Sequence, residues 1–277
     1  ELSSSVAAPA LFALLCWWFG TGAILWLVRR APTTFPWTLG VLSLLLLGSL
    51  WTTQLSMQDH TVGSAYLAFA SVIVMWSWHE MAFLTGWLTG PRRVPLQAGA
   101  RGWTRFTQSV RAVIWHELAL LANFGVLLLM QQGQPSHVAI CTFALLWCMR
   151  ASAKLNLFFG VPEVGAQYLP RHLTWLASHF RSGAISGFFY LSVGLACAVW
   201  AWMVWELASG QATVTTGWLL LAALLGLAIV EHLLMVFALP MQKLWGWAMA
   251  QRQPARPKPT ALSPTTVVVP PVNVDRA

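Results

Sequence analysis

Apolar residues along this chain come in long, nearly uninterrupted runs, not in the alternating or three-to-four spacing of half-buried elements in water. Seven stretches reach the roughly 20 mostly apolar residues that a membrane-crossing helix needs: residues 6–28, 35–57, 65–88, 110–130, 137–159, 184–207 and 213–239. Few prolines interrupt them, so each reads as an unbroken helix, the form in which a backbone satisfies its own polar groups in lipid. Small residues one turn apart, Ala222 with Gly226 and Gly194 with Ala198, allow close helix approach. The first run has no basic segment before it and reads as a retained span. The predicted fold class is all-α, a polytopic membrane bundle of about seven transmembrane helices over residues 1–252. A Pro-rich segment at 253–277 has no helical period and reads as a disordered tail.

Between spans five and six the pattern changes. Leu169, Leu173, Leu176 and Phe180 recur at helical spacing, with Arg171, Thr174, Ser178 and Arg181 opposite and Pro170 at the start. This predicts an interfacial amphipathic helix at 169–181. Residues 241–252 carry a weaker version of the same pattern. No internal repeat is present.

Composition agrees with the pattern. The 277 residues are 57% apolar and only 9% charged, where a soluble domain carries roughly 25% charged. Mean hydropathy is +0.64. A soluble domain, a coiled coil and a disulfide-stapled module are excluded. The four cysteines (Cys16, Cys141, Cys148, Cys197) fall in apolar runs and read as small buried hydrophobes.

Charge acquires meaning by position. All 16 Lys and Arg lie at one set of span ends. They follow span one (Arg29, Arg30), flank the link from span three to four (Arg92, Arg93, Arg101, Arg105, Arg111) and lie at or after the end of span five (Arg150, Lys154, Arg171, Arg181). The remainder follow span seven. The alternate links carry none. The positive-inside rule then puts the N-terminus outside and the C-terminus, with the 169–181 helix, on the cytoplasmic side of the membrane.

Only eight acids occur, and three of them lie within spans, each beside a histidine: His79–Glu80, His116–Glu117 and Glu231–His232. Random placement of seven His and eight acids would give less than one adjacent pair; four occur, counting Asp59–His60 in an outer loop. The three intramembrane pairs are expected roughly 9–14 Å from the cytoplasmic ends of their spans, at about 1.5 Å per residue. Arg150, Lys154 and Asn156 fall near the same level, and Asn123 lies on the stripe of His116, two turns deeper. Charges at such depth face one another inside the bundle, so the expected site is a polar chamber opening toward the cytoplasm.

Several chemistries suit such a chamber. It reads as a structural layer of ion pairs, as a path for ions or solutes, as a His/Glu site for iron or zinc, or as an axial-ligand site for a tetrapyrrole. The metal reading is handicapped because neighbours on a helix diverge by about 100° and no ExxH spacing is present. Trp76, Trp78, Trp115 and Trp147 flank the layer as candidate pocket walls. Trp17, Trp18, Trp37, Trp103, Trp245 and Trp247 read as an interfacial belt. His60 and His137 read as solvated, and His172 and His179 as part of a plain membrane-surface helix. No GxxxxGK[ST], GxGxxG or GxSxG motif is present, so nucleotide, dinucleotide and elbow-type hydrolase chemistry lack support.

Four blocks, AFLTGWLTGPRR (82–93), WHELALL (115–121), MRASAKLNLFFGVP (149–162) and LPRHLTWLASHFR (169–181), resemble the PuhE-type photosynthetic complex assembly proteins of purple phototrophic bacteria, encoded near the reaction-centre H-subunit gene. The resemblance covers residues 78–181 well and the Glu231–His232 region more loosely. It implies a role in assembling reaction-centre and light-harvesting complexes and in modulating bacteriochlorophyll production. No ligand set carries over with it.

The expected function is therefore a non-enzymatic assembly factor that handles bacteriochlorophyll or a precursor. His79, His116 and His232 are candidate ligands, with Glu80, Glu117 and Glu231 orienting them or pairing with Arg150 and Lys154. Expected partners are photosynthetic subunits, other assembly factors and membrane lipid, with no nucleic acid. The rivals are a metal-dependent membrane oxidoreductase, acting on a bacteriochlorophyll precursor or a carotenoid through the same six residues, and a permanent structural subunit of the photosynthetic complex.

Overall fold

A computed structural model describes residues 2–210, 215–237 and 245–249. Seven of its helices are long and apolar enough to cross a membrane: α1 (Leu2–Val28), α2 (Phe35–Ser56), α3 (Val62–Leu84), α4 (Gly102–Met130), α5 (Val138–Phe159), α6 (Gly187–Ala208) and α7 (Thr215–Leu233). A short α8 (Gly246–Met249) follows. The sequence-predicted tail at 253–277 and most of the weak 241–252 pattern lie outside the described residues.

The bundle is organised around α3, which packs on α1, α2, α4, α5 and α7. More than half of its apolar window is buried, whereas the other helices turn most of their surface outward. The main core joins Met57, Phe69, Val72 and Met75 to Leu120, Leu127, Phe143 and Leu220. By charge the bundle has two distinct ends. The links after α1, α3 and α5 carry the arginines and form a basic end. At the opposite end the described links carry no Lys or Arg, and Ser136 N donates to Met57 O across two of them.

Helix limits depart from the apolar runs where polar groups supply caps. Thr61 accepts from Ser64 N and starts α3 three residues before the expected 65. Gly86, at φ 78°, lies just beyond the Thr85 cap and ends α3 four residues before 88. Helix α4 begins eight residues early because its polar first turns are tied down: Arg105 donates to Phe158 O at 2.8 Å and His179 O at 2.9 Å. Helix α7 stops at Leu233, where Met235 and Phe237 N fold back on His232 and Leu233 O. Glu231 and His232 therefore occupy its last turn and are not set one to two turns deep.

The amphipathic segment is also corrected. Arg171–His179 is a nine-residue 3-10 helix, not an α-helix. Its buried residues, Leu173, Leu176 and His179, recur every third position, the eclipsed face of three residues per turn. That face packs on Phe83 and Ala112 at the basic end of α3 and α4. His179 points inward with it, so only His172 keeps the surface position expected of both.

The cysteine expectation fails for three of four. Cys141, Cys148 and Cys197 are exposed on the outer flank of the bundle, and Cys16 is half-buried. An apolar run places a thiol at membrane depth without saying which way it faces.

Candidate functional site

The polar layer forms as a clamp of ion pairs. Helix α5 contributes two cations one turn apart, and each meets a carboxylate from a different helix. Arg150 donates to Glu80 Oε2 of α3 at 2.9 Å, and Lys154 pairs with Glu117 Oε1 of α4. Trp147 Nε1 donates to the second oxygen of Glu117 at 3.1 Å. Neighbouring like charges on α5 are thus each neutralised, and the pairing fixes the register of three helices.

Between the two acids sit two imidazoles. His79 is 2% exposed and His116 is fully buried, with ring centres 6.5 Å apart. His116 rests against Phe83 at 4.8 Å, and His79 against Trp78 at 5.0 Å and Phe143 at 6.2 Å. None of their four ring nitrogens has a partner of hydrogen-bond geometry. The Asn123 amide faces His79 but reaches Met75 Sδ at 3.8 Å. Buried polar groups are normally satisfied, so four ring nitrogens without a protein partner in one layer are unusual.

The backbone around His116 is irregular too. Thr89 O accepts from Trp115 N and His116 N at 3.0 and 3.2 Å, while Arg92 N donates to Arg111 O at 3.2 Å. The link after α3 thereby enters the hydrogen-bond ladder of α4 at the turn that carries His116. Gly90 permits this approach, since a Cβ there would run into Arg111 O and the Ala112 backbone.

The third pair parts from the other two. His232 is buried, its Nδ1 donating to Ala228 O at 2.8 Å, which leaves Nε2 to accept from Ser152 Oγ at 2.9 Å in the neutral ring. Asn156, also fully buried, donates to Ser192 Oγ at 3.1 Å and ties α5 to α6. Glu231 lies on the flank of the layer: it is exposed and accepts from Trp17 Nε1 of α1 at 2.5 Å, while its charge still reaches Arg150 and Glu80. The six candidate ligands therefore do not converge. Among the described residues, no three His, Cys, Asp or Glu side chains gather closely enough to hold one ion.

The tryptophans divide similarly. Trp76 packs on Phe143 at 5.7 Å, Trp78 lies against His79, and Trp147 donates to Glu117. Trp115 is 48% exposed and faces outward, a correction that follows from the angle of about 100° between it and His116 on one helix. Trp17 and Trp245, expected in the belt, have partners within the bundle: Trp17 donates to Glu231, and the buried Trp245 donates to Trp18 O at 3.1 Å. Gly22 leaves room for the Trp247 ring beside them. Sequence reasoning missed Trp17 and Ser152; Ser152, a polar residue between Arg150 and Lys154, carried the only visible signal.

At the basic end, His179 Nδ1 meets Ser109 Oγ at 3.0 Å. Burial, reinforced by Arg92 and Arg105 and opposed by the Val94 backbone, holds this imidazole below its ordinary pKa.

A family model described as a protein of unknown function, DUF3623, matches residues 3–256. The chain belongs to the DUF3623 family. It is similar to a Rhodobacter capsulatus protein described as an uncharacterized 30.4 kDa protein in the puhA 5' region, with 39% identity over 248 residues, covering 87% of this chain and 89% of the relative. No solved structure matches the chain.

Proposed function

We propose that this DUF3623 member is a photosynthetic complex assembly factor of the PuhE type, which handles a bacteriochlorophyll-type pigment in the inner membrane while reaction-centre and light-harvesting subunits are assembled. The relative beside puhA supports the photosynthetic setting.

One observation carries the reading: the four sequence blocks of the PuhE resemblance, far apart along the chain, knit into one unit around His116. The first supplies Thr89 O to the N–H groups of Trp115 and His116 in the second. Leu84 O of the first accepts from His172 of the fourth at 2.8 Å. Arg181 N, closing the fourth, donates to Leu157 O in the third at 2.8 Å. Lys154 of the third pairs with Glu117 of the second.

An imidazole nitrogen without a partner is the donor that a magnesium tetrapyrrole takes as an axial ligand, so His79 and His116 fit by chemistry. The closed packing on Phe83 leaves no room for a macrocycle. Binding therefore requires the turn of α4 at His116 to part from α3, at the place where its ladder is already entered by Thr89. Bound pigment supplies a metal centre for ligation; the chain supplies the imidazoles, the apolar rings around them and the ion pairs that hold the helices in register. The basic end, on the cytoplasmic side by the positive-inside reading, presents arginines to anionic lipid and partner subunits.

The test is His116→Leu, which keeps the layer filled while removing the ligand. In the phototrophic host it should lower the amount of assembled pigment–protein complex with the variant still present in the membrane at its normal level. Normal assembly in that strain sinks the reading.

A further inference from the structure

A half-open cavity of about 650 Å³ lies between α5, α6 and α7, at the end of the bundle opposite the polar layer, within the size range of small-molecule sites. Its walls are apolar, with Leu145 of α5 facing Leu221 of α7 and the Trp202 and Trp218 rings set edge to face at 5.2 Å. Trp202 is held in place by donating to Glu206 at 3.2 Å.

Two exposed imidazoles stand at the rim, His60 from the α2–α3 link and His137 from the start of α5. Neither is loosely placed. Thr61 donates twice to Asp59 Oδ1, at 2.9 Å from N and 2.8 Å from Oγ1, which fixes the turn through His60. The Ser136 N to Met57 O bond, at 3.1 Å, lashes that turn to the one carrying His137. Exposed Cys141 and Trp202 mark the flank on which the cavity opens, at membrane depth.

The lining narrows the ligand. No Lys, Arg, Asp or Glu takes part among the described residues, so nothing there selects a phosphate or a carboxylate. Paired indoles favour a flat ring. Two imidazoles offer N–H donors to a molecule that accepts hydrogen bonds, which a plain hydrocarbon chain does not. We propose that this cavity binds a lipid-soluble quinone, its carbonyl oxygens accepting from His60 and His137, its ring against Trp218 and its tail leaving along α5 and α7 into the bilayer. The site is separate from the one proposed for pigment, and only binding is inferred.

The experiment uses the full chain in lipid nanodiscs and decylubiquinone, whose ring carries no position open to thiol addition. Maleimide labelling of Cys141 should slow in a saturable way as the quinone is added. Cys148 and Cys197, exposed on the outer flank away from the cavity, serve as references and should not change. His137→Ala should weaken the protection by about five- to tenfold, the loss of one hydrogen bond, and His137→Gln, which still donates, should recover part of it. Trp202→Phe with Trp218→Phe should remove the saturable component of tryptophan quenching. Equal protection by dodecane would reduce the site to a hydrocarbon groove and overturn the assignment. So would protection by a zinc porphyrin without protection by the quinone, or labelling of Cys141 that the quinone leaves unchanged.

Discussion

Two sites in the bundle each present a pair of histidines beside tryptophans, yet they are opposite kinds of site. His79 and His116 are buried, and none of their ring nitrogens meets a hydrogen-bonding side chain or backbone group. His60 and His137 stand exposed at the rim of a large cavity. The difference comes from what surrounds them. Charges inside the bundle must be paired, and pairing Arg150 and Lys154 with Glu80 and Glu117 draws three helices together around the two imidazoles. The opposite end carries no such pairs among the described residues, and α5, α6 and α7 leave space between them. Two of the three His–acid pairs within spans therefore belong to a clamp, while the space lies where charge is missing.

The largest effect that sharpens this contrast is expected in the clamp. Glu80→Gln leaves the Arg150 charge without its partner, and the folded bundle should lose about 3 kcal/mol, the lower part of the range for breaking a buried pair because Arg150 is partly exposed. Pairing it with Arg150→Met should recover most of that loss. Thermal unfolding in mild detergent reads both; if Glu80→Gln unfolds at the wild-type temperature, the layer is not a clamp.

Next in size is Gly90→Ala. A methyl group there meets backbone of α4 and not a side-chain end that could swing away, so the link must lift off the helix at a cost of about 2 kcal/mol. Hydrogen exchange at Trp115 and His116 amides should rise, because they lose Thr89 O. Unchanged exchange would show that the approach at Gly90 does not hold this turn.

The layer was legible in the sequence because burying charge is costly enough to leave a mark: eight acids in 277 residues, three of them inside spans beside His. The pairing of Glu80 and Glu117 with Arg150 and Lys154 follows from depth and sign alone. What depth does not carry is azimuth. Trp115 and Cys148 lie within their expected spans but face outward, because nearly uniform apolar helices give no stripe from which to read a direction. The cavity left no mark at all, since an absence of packing between three helices is a property of their tilt and not of any residue. The 3-10 form of Arg171–His179 was hidden for a related reason: Leu173 and Leu176, three apart, fit both helical periods, and only the inward turn of His179 separates them.

A smaller effect separates the basic end from both histidine sites. Burial and the nearby Arg92 and Arg105 depress the folded pKa of His179 from the ordinary 6.5. A depressed imidazole leaves the unfolded segment binding more protons than the folded one, so docking of the 3-10 segment is full above the ordinary value and is lost as pH falls below it. Exchange of amides in 171–180 should accelerate below about pH 6.5, while those of α3 and α5 stay protected. His179→Gln should flatten this dependence.

The smallest expected change is the most telling. His60→Ala and His137→Ala remove exposed rim side chains with no packing role, so each should shift stability by no more than about 0.5 kcal/mol. His116→Leu, by contrast, exchanges a buried ring whose two nitrogens have no protein partner for an apolar side chain of similar size and should leave the bundle as stable or more so. If all three variants keep the wild-type unfolding temperature, none of these imidazoles is retained for the fold, and both sites keep their histidines for something they bind. A large loss in His116→Leu alone would instead make that ring part of the clamp, leaving the cavity as the one place where this chain holds a ligand.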